Sequence, residues 1–311
     1  MSSSAAARPR QLLGREKIVV CPGVFSPLFG KLAETVGFET IYATGAGIAN
    51  AVYGLPDLGL LGMKEVADIA GSIAAATDLP VIADADTGYG GSLNVLRTVR
   101  LLESEGIAGI QIEDQVHPKR CGHFEGKEVV STAEMVERLF AAQEARRDPD
   151  LVIIARTDAR AVEGLDKAIE RCLSYERAGA DVIFIEAPQS VDEMAAIPQH
   201  FNVPVMVNIV EGGKTPMLPA NELREMGYQL VLYANAVMRS AMFGAESTLK
   251  TLRDSGSTSA ALDQMVSFDQ RQELVGLDRW LALDAAIGLA SQQALAQRPA
   301  TVDQSTTEKG H

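Results

Sequence analysis

Cysteine is scarce: Cys21, Cys121 and Cys172 are three residues in 311, with no CxxC pair. That spacing excludes a disulfide framework and suits a reducing compartment. Positive charge is also short, since 28 Lys and Arg stand against 41 Asp and Glu for a net charge of -13. Without clustered cations nothing would neutralise phosphates, so neither nucleic acid nor an anionic membrane surface is an expected partner. No apolar run is long enough to span a bilayer. Met1 to Arg10 has small and basic residues with no apolar stretch behind them, so no secretory signal is expected and the expected setting is cytoplasmic. An acidic protein of this kind can handle acidic substrates only by concentrating positive charge locally, through a metal or through Arg.

What is present is a repeating pattern. Short β-branched runs occur at Ile18–Cys21, Thr40–Ala43, Pro80–Ala83, Gly109–Ile112, Leu151–Ala155, Asp181–Ile185, Val203–Val207 and Leu230–Tyr233. Each is followed by a segment of helical period. Leu93, Leu96, Val99 and Leu102 share one helical face, with Arg97, Arg100 and Glu103 opposite. Ser131 with Glu134 has the form of a capping box. Gly37, Gly106, Gly179 and Gly227 each end a helical pattern just before a strand, where a left-handed residue stops a helix. Strands this apolar must be covered on both faces, which means a parallel sheet. Eight units, and no GxGxxG after the first, favour a closed (β/α)8 barrel over an open doubly wound sheet. The expected organisation is a disordered 1–11, a barrel over 12–255, further helices over 256–297 and a polar tail over 298–311. Helices are expected at Leu262–Leu274 and Leu277–Leu295, with Trp280, Leu281, Leu283, Ile287 and Leu289 packing on a neighbouring subunit or capping their own barrel.

The polar residues gather at strand C-termini, the face where such barrels keep their active sites. Asp84 and Asp86 are at i and i+2, which on a strand points both to one side, with Glu113 on the next. An oxygen-only set suits Mg²⁺ or Mn²⁺ rather than zinc; the alternative is a pair of solvated aspartates. Lys119, Arg120, Cys121, Gly122 and His123 place two cations, a thiol and an imidazole on one loop. A thiol so flanked can exchange a proton near neutrality, although a lone Cys is more often inert packing. Cys21 and Cys172 read as core, His117 and His200 as surface.

The segments Gly54–Asp57, Asp84–Gly90, Ile112–Gln115, Lys119–His123, Ala155–Ala159 and Asn208–Gly213 resemble the isocitrate lyase and phosphoenolpyruvate mutase superfamily, over about residues 12 to 290. The resemblance implies a TIM barrel assembled as a homotetramer with swapped C-terminal helices. It implies Mg²⁺ on Asp84 and Asp86, helped by Asp57 and Glu113. Thr44, Gly45 and Ala46 would take the oxo-acid carboxylate; family members often carry Ser-Gly-Gly there. Arg156, Glu186 and Asn208 would surround the oxo acid, with Gly122 beside them and Arg239 available for a further carboxylate. Cys121, His123, Arg156 and Lys119 would carry the chemistry, with Tyr42 as base.

The function so implied is retro-aldol cleavage of a small 2-hydroxy di- or tricarboxylate, of the 2-methylisocitrate or alkylmalate type, into a 2-oxo acid and a carboxylate. Two alternatives stay open. His117–His123 and Val210–Pro216 also resemble the mutase that forms a carbon-phosphorus bond on carboxyvinyl-carboxyphosphonate, and a non-catalytic binding barrel could share the scaffold.

Overall fold

A computed structural model describes residues 7–122 and 126–296. The eight expected strands form, as β1 (Val19–Val24), β2 (Ile41–Ala43), β3 (Val81–Asp84), β4 (Gly109–Glu113), β5 (Val152–Thr157), β6 (Val182–Ile185), β7 (Val205–Asn208) and β8 (Leu230–Tyr233). Each pairs in parallel with the next, and β8 returns to β1 in the register Val19 to Leu230 through Pro22 to Tyr233, closing the (β/α)8 barrel.

The two-residue side-chain period of a strand divides the apolar residues into two populations. Val19, Cys21, Tyr42, Ile82, Val152, Ile154, Val182, Phe184, Met206, Leu230 and Leu232 pack together inside the barrel. Their neighbours, such as Ala83, Ile153, Ala155, Ile183 and Val207, belong to the larger core that also includes the buried helix faces. Extending the inner set by one period at the C-terminal ends reaches Asp84, Arg156, Glu186 and Asn208. The polar layer is therefore the top course of the barrel filling.

Glycine stops four of the helical segments as expected: Gly37, Gly106, Gly179 and Gly227 have φ of 96°, 83°, 94° and 108°. Other expectations shift. The buried stripe of the helix Ser92–Ser104 is Val95, Thr98, Val99 and Leu102, while Leu93 faces solvent. Only half the box at Ser131 forms: its hydroxyl accepts from Glu134 N, but the Glu134 carboxylate turns to Arg138, 2.7 Å away. Residues 7–11 are not disordered as expected, because Ala7–Leu13 is a helix. Leu12 and Leu13 pack against the apolar filling, and Arg10 pairs with Asp181 at 2.8 Å.

The compact unit holding the barrel runs to Gln264 rather than 255, and includes the helix Ala236–Ser255 and a 3-10 turn at Ser259–Gln264. A second unit starts at Met265. The helix expected over Leu262–Leu274 is broken because Ser267 begins a new one, Phe268–Leu274. The Ser267 hydroxyl accepts from Gln270 N, and the Gln270 side chain accepts from Ser267 N. The helix Leu277–Ala296 leaves Trp280, Leu281 and Ile287 exposed. No described helix is long and apolar enough to cross a membrane.

Closure leaves no room at one point of the seam. A Cβ on Gly23 would lie 2.2 Å from the Ala234 carbonyl oxygen and 2.6 Å from its carbon, both backbone. Overpacking a core typically costs about 1–3 kcal/mol, and here neither neighbour is a side chain that can swing away. Gly23→Ala should lose at least about 2 kcal/mol in urea unfolding; an unchanged midpoint would show that the seam is looser than described.

Candidate active site

At the C-terminal end of the barrel a cavity of about 440 Å³, mouth included, is lined by Tyr42, Thr44, Ala46, Asp57, Asp84, Lys119, Cys121, Gly122, Arg156, Glu186 and Asn208, with Val210, Leu232, Ala234 and Asn235. Residues from seven strands and their following loops thus converge on one opening. Gly45 and Asp86 line an adjoining small cavity that shares Asp57. Glu113 lies buried beneath, its carboxylate 3.3 Å from Arg156. His123 falls outside the described residues.

The two aspartates meet by a different route from the one expected. Only Asp84 belongs to β3; Asp86 sits in a turn with φ 47°, and its N–H donates to Asp84 Oδ1 at 3.2 Å. The carboxylates converge at the start of the helix Gly45–Tyr53, where a Cβ on Gly45 would be 3.0 Å from Asp84 and 3.5 Å from Asp86. Lys119 bridges Asp57 and Asp86, the latter at 2.9 Å. Burial, only partly offset by the Lys119 ammonium and reinforced by Asp84, pushes Asp86 up to about 6. Burial also raises Glu113 well above the carboxylate range, against the pull of Arg156.

The donor set fits a hard divalent cation: the oxygens are carboxylates, Glu113 Oε1 is buried without a hydrogen-bond donor, and Asp86 Oδ1 is met by the Lys119 ammonium. Six carboxylates (Asp57, Asp84, Asp86, Glu113, Asp158, Glu186) face three described cations (Lys119, Lys127, Arg156). Lys119 occupies part of the role that such an ion would fill. Among the described residues no three acidic, thiol or imidazole groups close on one point as a self-sufficient cage.

Arg156 is fixed from several sides. Asp158 accepts from its Nε at 3.0 Å and from Nη2 at 3.2 Å, and the guanidinium lies 5.3 Å over the Phe184 ring. Gly122 packs directly on it, since a Cβ there would be 2.4 Å from Arg156 Nη2 and 2.5 Å from Glu186 Cγ. A residue with any side chain would push the Cys121 segment off the guanidinium. Cys121 is half-buried, whereas Cys21 and Cys172 are core thiols as expected.

Tyr42, the expected base, lies on the cavity wall. Its hydroxyl donates to Gln111 at 2.8 Å, and burial, with Asp84 close by, drives its pKa well above 10. Thr44 caps the helix Gly45–Tyr53 by accepting from Gly47 N at 3.3 Å, and Thr44 and Ala46 place the start of that helix, its positive dipole end, on the cavity wall. Arg239, expected to serve a further carboxylate, does not line the cavity; its side chain is 53% exposed and donates to the Glu211 carbonyl and carboxylate.

Sequence reasoning missed Gln111 and Lys127, and gave Asp158, at the end of the fifth strand, no role of its own. Gln111 could have been found, since it is a polar residue at an inward position of a strand. Lys127 gives no such signal: it lies past a loop, yet its ammonium reaches Asp158 at 2.8 Å and the Gly122 carbonyl.

The fold and site define a (β/α)8 enzyme with a carboxylate-rich pole and an Arg–thiol pole in one cavity. Comparison with known proteins agrees: the phosphoenolpyruvate phosphomutase family model matches residues 10–253. The chain is 44% identical over 276 residues to 2,3-dimethylmalate lyase of Eubacterium barkeri, covering 89% of this chain and 96% of that one. It is 41% identical over 288 residues to 2-methylisocitrate lyase of Aeropyrum pernix, covering 93% and 92%. A crystal structure of 2,3-dimethylmalate lyase, described as a PEP mutase/isocitrate lyase superfamily member, superposes with a TM-score of 0.87 at 35% identity, covering 93% of this chain and 97% of that one. The chain belongs to the PEP mutase/isocitrate lyase superfamily.

Asp158 supplies a stability test. Burial alone would raise its pKa, but Arg156 and Lys127 overcome that and hold it at about 2, below the ordinary 3.8. A depressed carboxylate contributes its stability above the unfolded value and loses it as pH falls through the folded one, here between about 4 and 2. Asp158→Asn should cost about 2 kcal/mol near neutrality and flatten the acid limb of urea stability between pH 4 and 2. An acid limb identical to that of the parent would contradict the pairing.

Proposed function

We propose that the chain is a Mg²⁺-dependent carbon-carbon lyase that cleaves a small 2-hydroxy dicarboxylate into a 2-oxo acid and a second carboxylate. The observation that carries this is the presence of Cys121, Arg156 and Asp84 on one cavity. Asp84, Asp86 and Asp57, helped by Glu113, would hold the ion; Mn²⁺ suits the same oxygens. When bound, the ion supplies Lewis acidity that lowers the pKa of the substrate hydroxyl and offsets charge on the oxo acid.

The remaining steps belong to this chain's own groups. The start of the helix Gly45–Tyr53, at Thr44, Gly45 and Ala46, receives a carboxylate of the oxo-acid half through backbone N–H groups. The hydroxyl proton passes to a base, Tyr42 in the reading from the superfamily, the carbon-carbon bond breaks, and its electron pair passes to the other fragment as an aci-carboxylate. Arg156, already oriented by Asp158, meets that charge without reorganising, which is what makes preorganised donors effective. The Cys121 thiol delivers its proton to the carbon and is reprotonated from solvent. Glu186 and Asn208 complete the wall around the oxo acid, and His123 joins Arg156 in the reading from the superfamily.

Assembly as a homotetramer is part of the same proposal, supported by the exposed Trp280, Leu281 and Ile287 of the last helix. The dicarboxylate is preferred to a tricarboxylate because the cation expected to receive a third carboxylate, Arg239, is engaged by Glu211 outside the cavity lining.

Release of pyruvate or glyoxylate from a panel of 2-hydroxy acids tests the reading. Activity should vanish with EDTA and return with Mg²⁺, and Cys121→Ser should lower turnover by about 10²–10⁴ while calorimetric oxalate binding survives. Full turnover in that variant removes the thiol from the chemistry. Turnover of a phosphonate alone, followed by ³¹P NMR, would replace the lyase by the mutase. In the same panel Arg239→Ala should leave the KM for 2-alkylmalates within about threefold; a rise confined to tricarboxylates would restore Arg239 as a substrate ligand.

A further inference from the structure

Lys127 is buried, with its side chain 1% exposed, and is not among the residues lining the cavity. Its ammonium has two described partners, the Asp158 carboxylate at 2.8 Å and the Gly122 carbonyl. Asp158, itself fully buried, holds Arg156 through the two bonds described above. Gly122 in turn lies against Arg156 with no space for a Cβ. Lys127, Asp158, Arg156 and Gly122 therefore form a closed circuit of contacts, and Cys121 is the next residue along the chain from Gly122.

A buried ammonium is costly unless all its donors are used, so such a group is kept only where its partners repay desolvation. Arg156 and Lys127 share the neutralisation of Asp158, so charge balance accounts for only one of the two bonds of Lys127. What Lys127 adds is the second bond, to a backbone carbonyl in the segment that carries the thiol. We propose that Lys127 is a positioning residue, tying the Cys121–Gly122 backbone to the Asp158–Arg156 pair so that proton donor and charge-stabilising guanidinium keep a fixed separation. Displacements of about 1 Å in such an arrangement can cost on the order of a hundredfold in rate. The inference rests on the reading of Cys121 as the reactive thiol.

Two substitutions in the full-length protein test it, Lys127→Met, which keeps the length and removes both bonds, and Lys127→Gln, which keeps a donor but not the charge. Three measurements apply: thermal midpoint, alkylation rate of Cys121 by iodoacetamide followed by peptide mass spectrometry, and steady-state kinetics. A merely structural residue would lower the midpoint and leave the thiol of the remaining native protein unchanged. Positioning predicts that alkylation of Cys121 in Lys127→Met speeds up about fivefold or more, that kcat falls by about thirtyfold or more with KM within about threefold, and that Lys127→Gln lies between. Alkylation that is unchanged or slower in a folded variant overturns the proposal, as does an unchanged kcat. Failure of both variants to fold would assign Lys127 to the fold alone and overturn it equally. Should the parent protein turn over no 2-hydroxy acid, the lyase reading fails, and the alkylation arm still decides whether Lys127 sets the place of Cys121.

Discussion

The constraint on which the site depends is closure of the barrel with a two-residue side-chain period. Once β8 pairs with β1, every second residue of each strand must face the interior, and successive inward positions rise in layers toward one mouth. The lower layers can be apolar and are, from Val19 and Ile82 to Phe184 and Leu232. The last inward position before each loop is Asp84, Glu113, Arg156, Glu186 or Asn208. These groups cannot turn away without breaking the strand, so their charges are forced into proximity. Their electrostatics follow from that: burial lifts Glu113 and Asp86, while Arg156 and Lys127 hold the neighbouring Asp158 down to about 2.

Where the strands end, the backbone leaves ordinary conformations. Asp86 and Tyr89 after β3, and Ala187 directly after Glu186, have φ of 47°, 61° and 56°. Left-handed non-glycine residues cost about 1–3 kcal/mol each and persist where the surroundings dictate them. At Asp86 the turn brings a second carboxylate back over the first. At Ala187 the chain turns away immediately after placing Glu186 beside Gly122 and Arg156. Beneath them a polar course of Tyr42 and Gln111, bonded to each other and through Gln111 to Asp84, separates the charged layer from the apolar filling.

Much of this was legible in the sequence because it is carried by local pattern. Strand runs, the glycine stops at 37, 106, 179 and 227, and the polar residues at strand ends all have short-range signatures. The buried stripe of Ser92–Ser104 was misplaced because Leu93 counts as apolar by pattern but lies at the first turn, where nothing covers it. The helix at residues 7–13 carries no distinctive period; it is held by partners far along the chain, Asp78 and Asp181. The same holds for Lys127 and Arg239. Each has its role set by a partner tens of residues away, Asp158 for one and Glu211 for the other, and no spacing rule reports that. Asp84 and Asp86 were paired correctly for a reason that proved local to a turn instead of a strand.

The two poles of the cavity also order the proposed substrate. A chain of net charge -13 would repel a dicarboxylate at long range, so attraction must come from the short-range field of the site. At one pole, Asp57, Asp84 and Asp86 exceed the single described ammonium of Lys119 and favour a divalent ion, to which the hydroxy-acid end of a substrate can attach. At the other, Arg156 is the cation on the cavity wall that can meet negative charge. Arg156 is already committed to Asp158, with Glu113 and Glu186 near, so a weak, fully solvated carboxylate in the ground state gains little from displacing that balance. A fragment that acquires a second negative charge as the carbon-carbon bond breaks gains more. Under the proposed mechanism, an arginine preloaded with internal carboxylates would thus discriminate by charge, binding the developing dianion in preference to the starting acid, which is the difference in affinity that catalysis requires.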